Sequence, residues 1–291
     1  MSSEKPDIHL YTTQTPNGIK ISITLEELGC GTPQAQQAIG STARLTTGLQ
    51  HTIRLDQNRH LQEHAEGLVL GVEHTSKSRA DIPTQEQWFL DINPNGRIPA
   101  LTDKFTDGKL IRLFESGAIM QYLVERYDSE HKISFAKGSR EHIEMTNWLF
   151  FMNAGANHFT RYAPEHIEYG VNRYQNETRR LYGVLDKHLS DTKSDYLVGG
   201  KCTIADIAHW GWVSAAGWAG IQIEDFPALK AWEERMWERK AVQKGAGIPD
   251  PYKMKELLAD KDKVGFVIIF LILVQQGMKE DAEKNKARSQ K

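Results

Sequence analysis

In Asn93-Pro94-Asn95-Gly96-Arg97-Ile98-Pro99-Ala100-Leu101 a polar turn runs into a short apolar strand that contains a proline. Sheets accept proline at edges, bulges or special turns, because it cannot donate to the ladder. Pro99 is therefore a candidate cis-proline. With Ile98-Pro99 cis, the Ile98 N–H and C=O turn outward at a sheet edge where an extended peptide can dock. After one hairpin come Leu113-Phe114-Glu115-Ser116 and a helical run from Gly117 to Tyr127. That junction sets a hydroxyl and free backbone N–H groups where the helix dipole favours a carboxylate. A peptide edge beside an anion cradle suits a small acidic peptide. The plainer alternative is a hairpin with a capped helix and no ligand.

At 291 residues the chain is long enough for two packed domains. A formal net charge of -2 without a basic run argues against nucleic-acid or polyanion partners and for a small solute. Two cysteines, Cys30 and Cys202, cannot form a disulfide framework and suit a reducing compartment. Met1 to Pro6 lacks the apolar core of a signal peptide, and a cytoplasmic location is expected.

Ile8 to Tyr11 alternates like a strand, Thr12 to Gly18 is a polar turn, and Ile19 to Leu28 has the apolar spacing of a helix that ends at Gly29. Thr15 and Asn17 in that turn read as a cap and an Asx-turn residue, or as donors toward a ligand. Gly31 to Gly67 is rich in Gln, Thr, Ala and Gly and carries His51, His60 and His64 without a ligand-like pattern; a strand candidate follows at Leu68 to His74. No metal site is expected. Lys109 to Phe114 reads as the last strand, and Asp128 to Ser139 as a polar linker.

From Glu141 the pattern is wholly helical, with Met145, Trp148, Leu149 and Met152 on one face. A second long helical run carries Tyr169, Arg173, Tyr174, Thr178, Leu181, Leu185 and Leu189. In Tyr196-Leu197-Val198-Gly199-Gly200-Lys201-Cys202-Thr203-Ile204-Ala205-Asp206, Thr203 and Asp206 form a capping-box pattern that starts a helix from Ile204 to Ala216. Their role is structural. Trp210, Trp212, Trp218 and Trp232 read as core and interface aromatics. The run Val264 to Val274 is about half the ~20 residues that a membrane helix needs, so no membrane anchor is expected.

These segments, Leu10 to Gly29, Trp88 to Tyr127 and roughly Glu141 to Asp250, resemble the glutathione transferases, and within them the nu-class enzymes and the fungal nitrogen-catabolite-regulator-like branch. The resemblance implies an α/β thioredoxin-like N-terminal domain at 7–127, interrupted by an irregular insertion at 31–67. An all-α C-terminal domain would occupy 139–250, and an atypical charged segment 251–291. It implies glutathione as co-substrate, no metal cofactor, and a homodimer. Thr15 and Asn17 then fall on the residues that stabilise the glutathione thiolate. Ile98 would pair with the cysteinyl backbone, Arg97 would assist at the glycyl or cysteinyl side, and Glu115 with Ser116 would hold the γ-glutamyl group. Arg173 matches an arginine near the glutathione site, and Pro99 is structural. With no cysteine in the polar turn, the nucleophile belongs to the substrate.

The sequence departs from that family at Gly31 to Gly67, where an insertion of about 35 to 40 residues suggests a lineage-specific loop or translated non-coding sequence. It also has Thr84-Gln85-Glu86-Gln87 in place of a histidine region, and it lacks a segment between Gly155 and Ala156. The expected activity is attack of the thiolate on an electrophile or a disulfide. The alternative is a non-catalytic regulator that binds a protein partner, and a third possibility is an inert chain.

Overall fold

The computed structural model describes residues 7–30, 86–155, 167–249 and 251–259 of the chain. The insertion at 31–67, the strand candidate Leu68 to His74, the segment that follows Gly155 and the apolar run 264–274 lie outside the described residues.

Three antiparallel strands, β1 (His9–Tyr11), β2 (Ala100–Lys104) and β3 (Leu110–Phe114), form a sheet in the order β1-β2-β3. The strand that follows Pro99 was expected at a sheet edge. Among the described strands it is instead the middle one. Pro99 stays out of the ladder because it precedes Ala100, the first paired residue, and the Ile98-Pro99 bond is cis as expected. Helix α1 (Gly18–Glu27) follows β1, the single turn α2 (Gln87–Leu90) precedes the proline loop, and α3 (Ser116–Tyr127) follows β3.

The helix α1 is buried on every side from Gly18 to Leu25, where Ile19, Ile21, Ile23 and Leu25 alternate with Lys20, Ser22 and Thr24. Such a helix belongs inside a protein. It lies between the sheet-bearing part and the helical part, which comprises α4 (Arg140–Gly155), α5 (Glu168–Thr192), α6 (Ile204–Val213), α7 (Pro227–Glu238), α8 (Lys240–Ala246) and α9 (Met254–Ala259). Its closest neighbour is α8. Arg239 makes a bidentate pair with Glu27, at 2.7 and 2.8 Å, beside that contact. A Cβ added to Gly245 would lie 2.5 Å from Ile23 Cα and 2.6 Å from Ile23 N, so only glycine permits this approach. Gly245→Ala is accordingly expected to destabilise the protein by about 3 kcal/mol, at the upper end for overpacking because backbone must move. Urea unfolding of the variant measures this.

Asp128 to Ser139, expected as a polar linker, is a packed turn. Buried Asp128 accepts from Lys132 N, Ile133 N and Ser134 Oγ at 2.7, 3.0 and 2.7 Å, and the Ile133 carbonyl accepts from Ile204 N at the head of α6. The segment is polar because its side chains satisfy its own backbone.

The capping box at α6 forms as expected. The helix ends at Val213 rather than Ala216, where Ser214 Oγ exchanges a hydrogen bond with Tyr252 Oη, and a 3-10 turn, Ala216–Ala219, then closes on Gly220 with φ +76°. Left-handed Gly220 ends the 3-10 turn. Trp210 and Trp232 are fully buried in the core. Among the described residues no helix is long and apolar enough to cross a membrane.

Candidate functional site

The register of the sheet brings three separate segments to one end of it. Ala100 pairs with Tyr11 on one side and Phe114 on the other. The polar turn follows Tyr11, the proline loop precedes Ala100 and α3 follows Phe114, so all three segments lie at this end of the sheet.

The polar turn is built by its own hydroxyls. Thr15 behaves as a helix cap: its Oγ accepts from Gly18 N at 3.1 Å and its carbonyl accepts from Ile19 N at 3.0 Å. Because the Thr15 oxygen is the acceptor there, its O–H remains a donor. The turn needs Gly18, where a Cβ would lie 2.0 Å from the Thr13 carbonyl oxygen. Asn17 forms no side-chain cap and so no Asx turn, and its Oδ1 accepts from Lys20 Nζ at 2.8 Å. Its Nδ2 donates to no described residue. The turn rests on α6, with Gly211 so close to Pro16 that a Cβ would lie 2.9 Å from the Pro16 carbonyl oxygen.

On the opposite side, Ile98 is half-buried beside Trp88 and Phe89, Pro99 is buried and Arg97 is exposed. Neither Ile98 backbone group has a partner among the described residues. The Arg97 carbonyl accepts from Asn93 Nδ2, which fixes the loop from within. Glu115 is exposed and adopts φ +67°, ψ +115°, a conformation that is strained for a non-glycine residue by about 1–3 kcal/mol. It turns the chain so that buried Ser116 opens α3, whose first backbone-bonded amide is Ile119 N to the Glu115 carbonyl. The amides before it face outward, as at any helix N-terminus. Arg173 is exposed near the start of α5, and no contact joins it to the other candidates among the described residues. Thr203 and Asp206 lie at the head of α6 and serve the fold.

Sequence reading missed Lys20. It is completely buried, and its Nζ lies 2.8 Å from Asn17 Oδ1, 2.9 Å from Met152 Sδ and 3.4 Å from Ser116 Oγ. The available signal was the placing of Ile19 and Ile23 on one side of α1 and Ile21 and Leu25 on the opposite side, which buries the helix from both and leaves Lys20 no exposed face. Burial lowers its pKa to about 7, against the opposing influence of Glu115. Between that value and the ordinary 10.5 the unfolded chain holds a proton that the folded chain has released, so Lys20 lets stability rise with pH across this window. Below it the folded state carries the full penalty of a buried charge. Lys20→Met is expected to be more stable than wild type by roughly 1–4 kcal/mol below neutral pH, with the difference shrinking as pH rises toward 10. Unfolding of both proteins at three pH values tests the sign.

His209 on α6 is the other buried base. It bonds the Ala205 carbonyl through Nδ1 at 2.8 Å, its Nε2 has no partner among the described residues, and burial lowers its pKa to about 4. It therefore stays neutral at physiological pH. His209, Trp212, Phe151 and Met152 line a cavity of about 20 Å³, space for one water molecule. The protein's own thiols are poor nucleophiles, since burial raises the pKa of half-buried Cys30 and raises that of enclosed Cys202 strongly. Among the described residues no three His, Cys, Asp or Glu side chains gather as metal ligands would.

This arrangement offers donors at two points, the polar turn and the start of α3, together with the Ile98 backbone, which is unpaired among the described residues. The family profile described as glutathione S-transferase, N-terminal domain, matches residues 66–125, and the one described as glutathione S-transferase, C-terminal domain, matches residues 143–240. The disulfide-bond oxidoreductase YfcG of Escherichia coli K12 is 35% identical over 244 residues, which cover 81% of this chain and 92% of that protein. The chain belongs to the glutathione S-transferase family.

Two solved structures of the family are similar along most of their length. A glutathione transferase homologue from Lodderomyces elongisporus, with two GSH per subunit, is 35% identical with a TM-score of 0.60, covering 83% of this chain and 98% of that one. Ure2p in complex with glutathione is 29% identical with a TM-score of 0.58, covering 84% and 100%. The likeness within the transferase family is thus to the fungal Ure2p-like branch. The architecture is the family's, a thioredoxin-like half with a small sheet followed by a helical half.

Proposed function

We propose that the protein binds glutathione, favours its thiolate, and directs that thiolate at a disulfide or an electrophilic carbon. The observation that carries this reading is that the polar turn with Thr15 and Asn17, the loop of Ile98 and the helix start at Ser116 all lie at one end of the sheet, with Asn17 and Ser116 bonded to the same Lys20 ammonium.

In this reading the Thr15 hydroxyl and the Asn17 amide hold the sulfur, and the Ile98 backbone pairs with the cysteinyl residue. Arg97 serves the glycyl or cysteinyl side, and Glu115 and Ser116 with the first amides of α3 receive the γ-glutamyl group. Arg173 is of lower rank. A thiol with pKa ~8.5 is mostly protonated at neutral pH, and lowering it by one unit takes about 1.4 kcal/mol of preference for the anion. Two or three donors aimed at one sulfur are of that order.

With a disulfide substrate, the glutathione thiolate attacks one sulfur, forms a mixed disulfide and expels the other sulfur as thiolate. A second glutathione then attacks the mixed disulfide, giving glutathione disulfide and the second reduced thiol. The electrons come from two glutathione thiols, in keeping with two protein cysteines that burial deactivates. With an electrophilic carbon, the thiolate displaces a leaving group and one glutathione is consumed. A homodimer in the cytoplasm completes the proposal, with both cysteines free.

The test is calorimetric titration of the purified full chain with glutathione, followed by turnover with a dialkyl disulfide and with an aryl halide. Binding with turnover of either substrate supports the enzyme. Binding without turnover of either supports a regulator. An absence of binding overturns the reading. Size-exclusion chromatography with light scattering reads the dimer.

A further inference from the structure

A lysine with no exposed surface and no carboxylate within ion-pair distance among the described residues is unusual, since a buried charge is normally paired. The charged or titratable groups set against Lys20 are Glu115, exposed at the head of α3, and His209 on α6, which is neutral. An apolar residue of the same length would fill the space at lower cost to the fold. The explanation lies in what the ammonium touches.

From that contact pattern, and resting on the glutathione reading above, we infer that Lys20 is a positioning residue that fixes Asn17 and Ser116 as hydrogen-bond donors toward the ligand. An ammonium has three N–H groups and no lone pair. Its three hydrogen-bond partners among the described residues are all acceptors, Asn17 Oδ1, Met152 Sδ and Ser116 Oγ, at 2.8, 2.9 and 3.4 Å, and the Trp212 ring centroid lies 5.8 Å away as a fourth neighbour. An amide whose oxygen is held by a cation must turn its NH₂ the other way. A hydroxyl whose oxygen accepts from a cation directs its single hydrogen elsewhere. One buried charge thus sets the polarity at the sulfur end, through Asn17, and at the γ-glutamyl end, through Ser116. The thiolate at one end and the γ-glutamyl carboxylate at the other supply negative groups to an ammonium that has no carboxylate within ion-pair distance among the described residues.

Two consequences separate this from a packing role. In the first, wild type, Lys20→Met and Lys20→Gln are titrated with glutathione, and the pKa of the bound thiol is read from thiolate absorbance. Wild type is expected to hold the thiol at least one unit below its free value. Both variants are expected to raise it by about one unit and to lower kcat/KM about tenfold, while Lys20→Met gains thermal stability. An unchanged bound-thiol pKa in variants that still bind overturns the inference and leaves the glutathione reading intact. So does a Lys20→Met chain that fails to fold, because the ammonium would then be serving the structure. A wild type that does not bind glutathione overturns both.

The second uses wild type alone with S-methylglutathione, which has no thiol to ionise. Near neutral pH its γ-glutamyl carboxylate, set beside Ser116, should draw a proton onto Lys20, so the binding enthalpy should vary with the ionisation enthalpy of the buffer in the sense of proton uptake. Binding without uptake overturns the assignment.

Discussion

Asp206→Ala is expected to destabilise the protein by about 4 kcal/mol or more, a large share of the 5–15 kcal/mol typical of a folded domain. The carboxylate is fully buried and accepts from Leu197 N, Thr203 N, Thr203 Oγ and Trp232 Nε1, at 2.9, 2.9, 2.9 and 3.0 Å. Alanine removes the acceptor and leaves those donors in a site closed to water. An ordinary lost cap costs about 0.5–2 kcal/mol. The excess arises because this carboxylate also anchors the loop before α6 and the indole of α7. Urea unfolding at neutral pH gives the number, and a loss below 2 kcal/mol would mean that water enters and replaces the carboxylate. Thr203→Ala keeps three of the four donors paired and is expected to cost about 1 kcal/mol.

The second large effect concerns chemistry. Asn17→Ala is expected to lower kcat/KM for glutathione-dependent turnover by roughly 10- to 100-fold, or about 1.4–2.7 kcal/mol, and, because it removes the nearest acceptor of the buried Lys20 ammonium, to cost about 1.5–3 kcal/mol of stability. Asn17→Asp sharpens the test. A carboxylate there still accepts from Lys20 and now pairs its charge, so the fold should gain stability. It also sets a negative charge against the thiolate, so turnover should fall further than in Asn17→Ala. Thermal unfolding and steady-state kinetics on the two variants would then move in opposite directions. If Asn17→Asp keeps wild-type kcat/KM, the sulfur does not lie beside this residue.

Glycines and lysine around α1 link these effects to the fold. Gly245 lets α8 touch α1, Gly211 lets α6 touch the polar turn, and Lys20 joins α1 to α3 and α4. The end of α1 that carries the polar turn is therefore held from the helical half of the protein. A substitution at Gly245 is expected to affect glutathione binding as well as stability, although it lies outside the site.

Much of the architecture was legible because local chemistry dictates it. The hairpin, the capped start of α6, and the helices of the second half follow from turn residues, a capping box and apolar spacing that act within a few residues of one another. The cis Ile98-Pro99 bond was legible for the same reason. Where the reading erred, a partner distant in sequence decided the matter. Nothing near Pro99 announces that β1 and β3 flank β2, and nothing in Asp128 to Ser139 announces that the Ile133 carbonyl accepts from Ile204 N at the head of α6.

The candidate site divides along the same line. The sequence by itself determined which residue types were on offer: a hydroxyl and an amide in a polar turn, a backbone edge before a proline, a serine at a helix start, and no nearby cysteine. Tertiary structure alone decided which way their hydrogen bonds point. Lys20 is 96 residues from Ser116 and 132 from Met152, yet its ammonium reaches both. A side chain's donor or acceptor role is set by what its other atoms already bond. Those partners are chosen by packing, so no local pattern in the chain could state them.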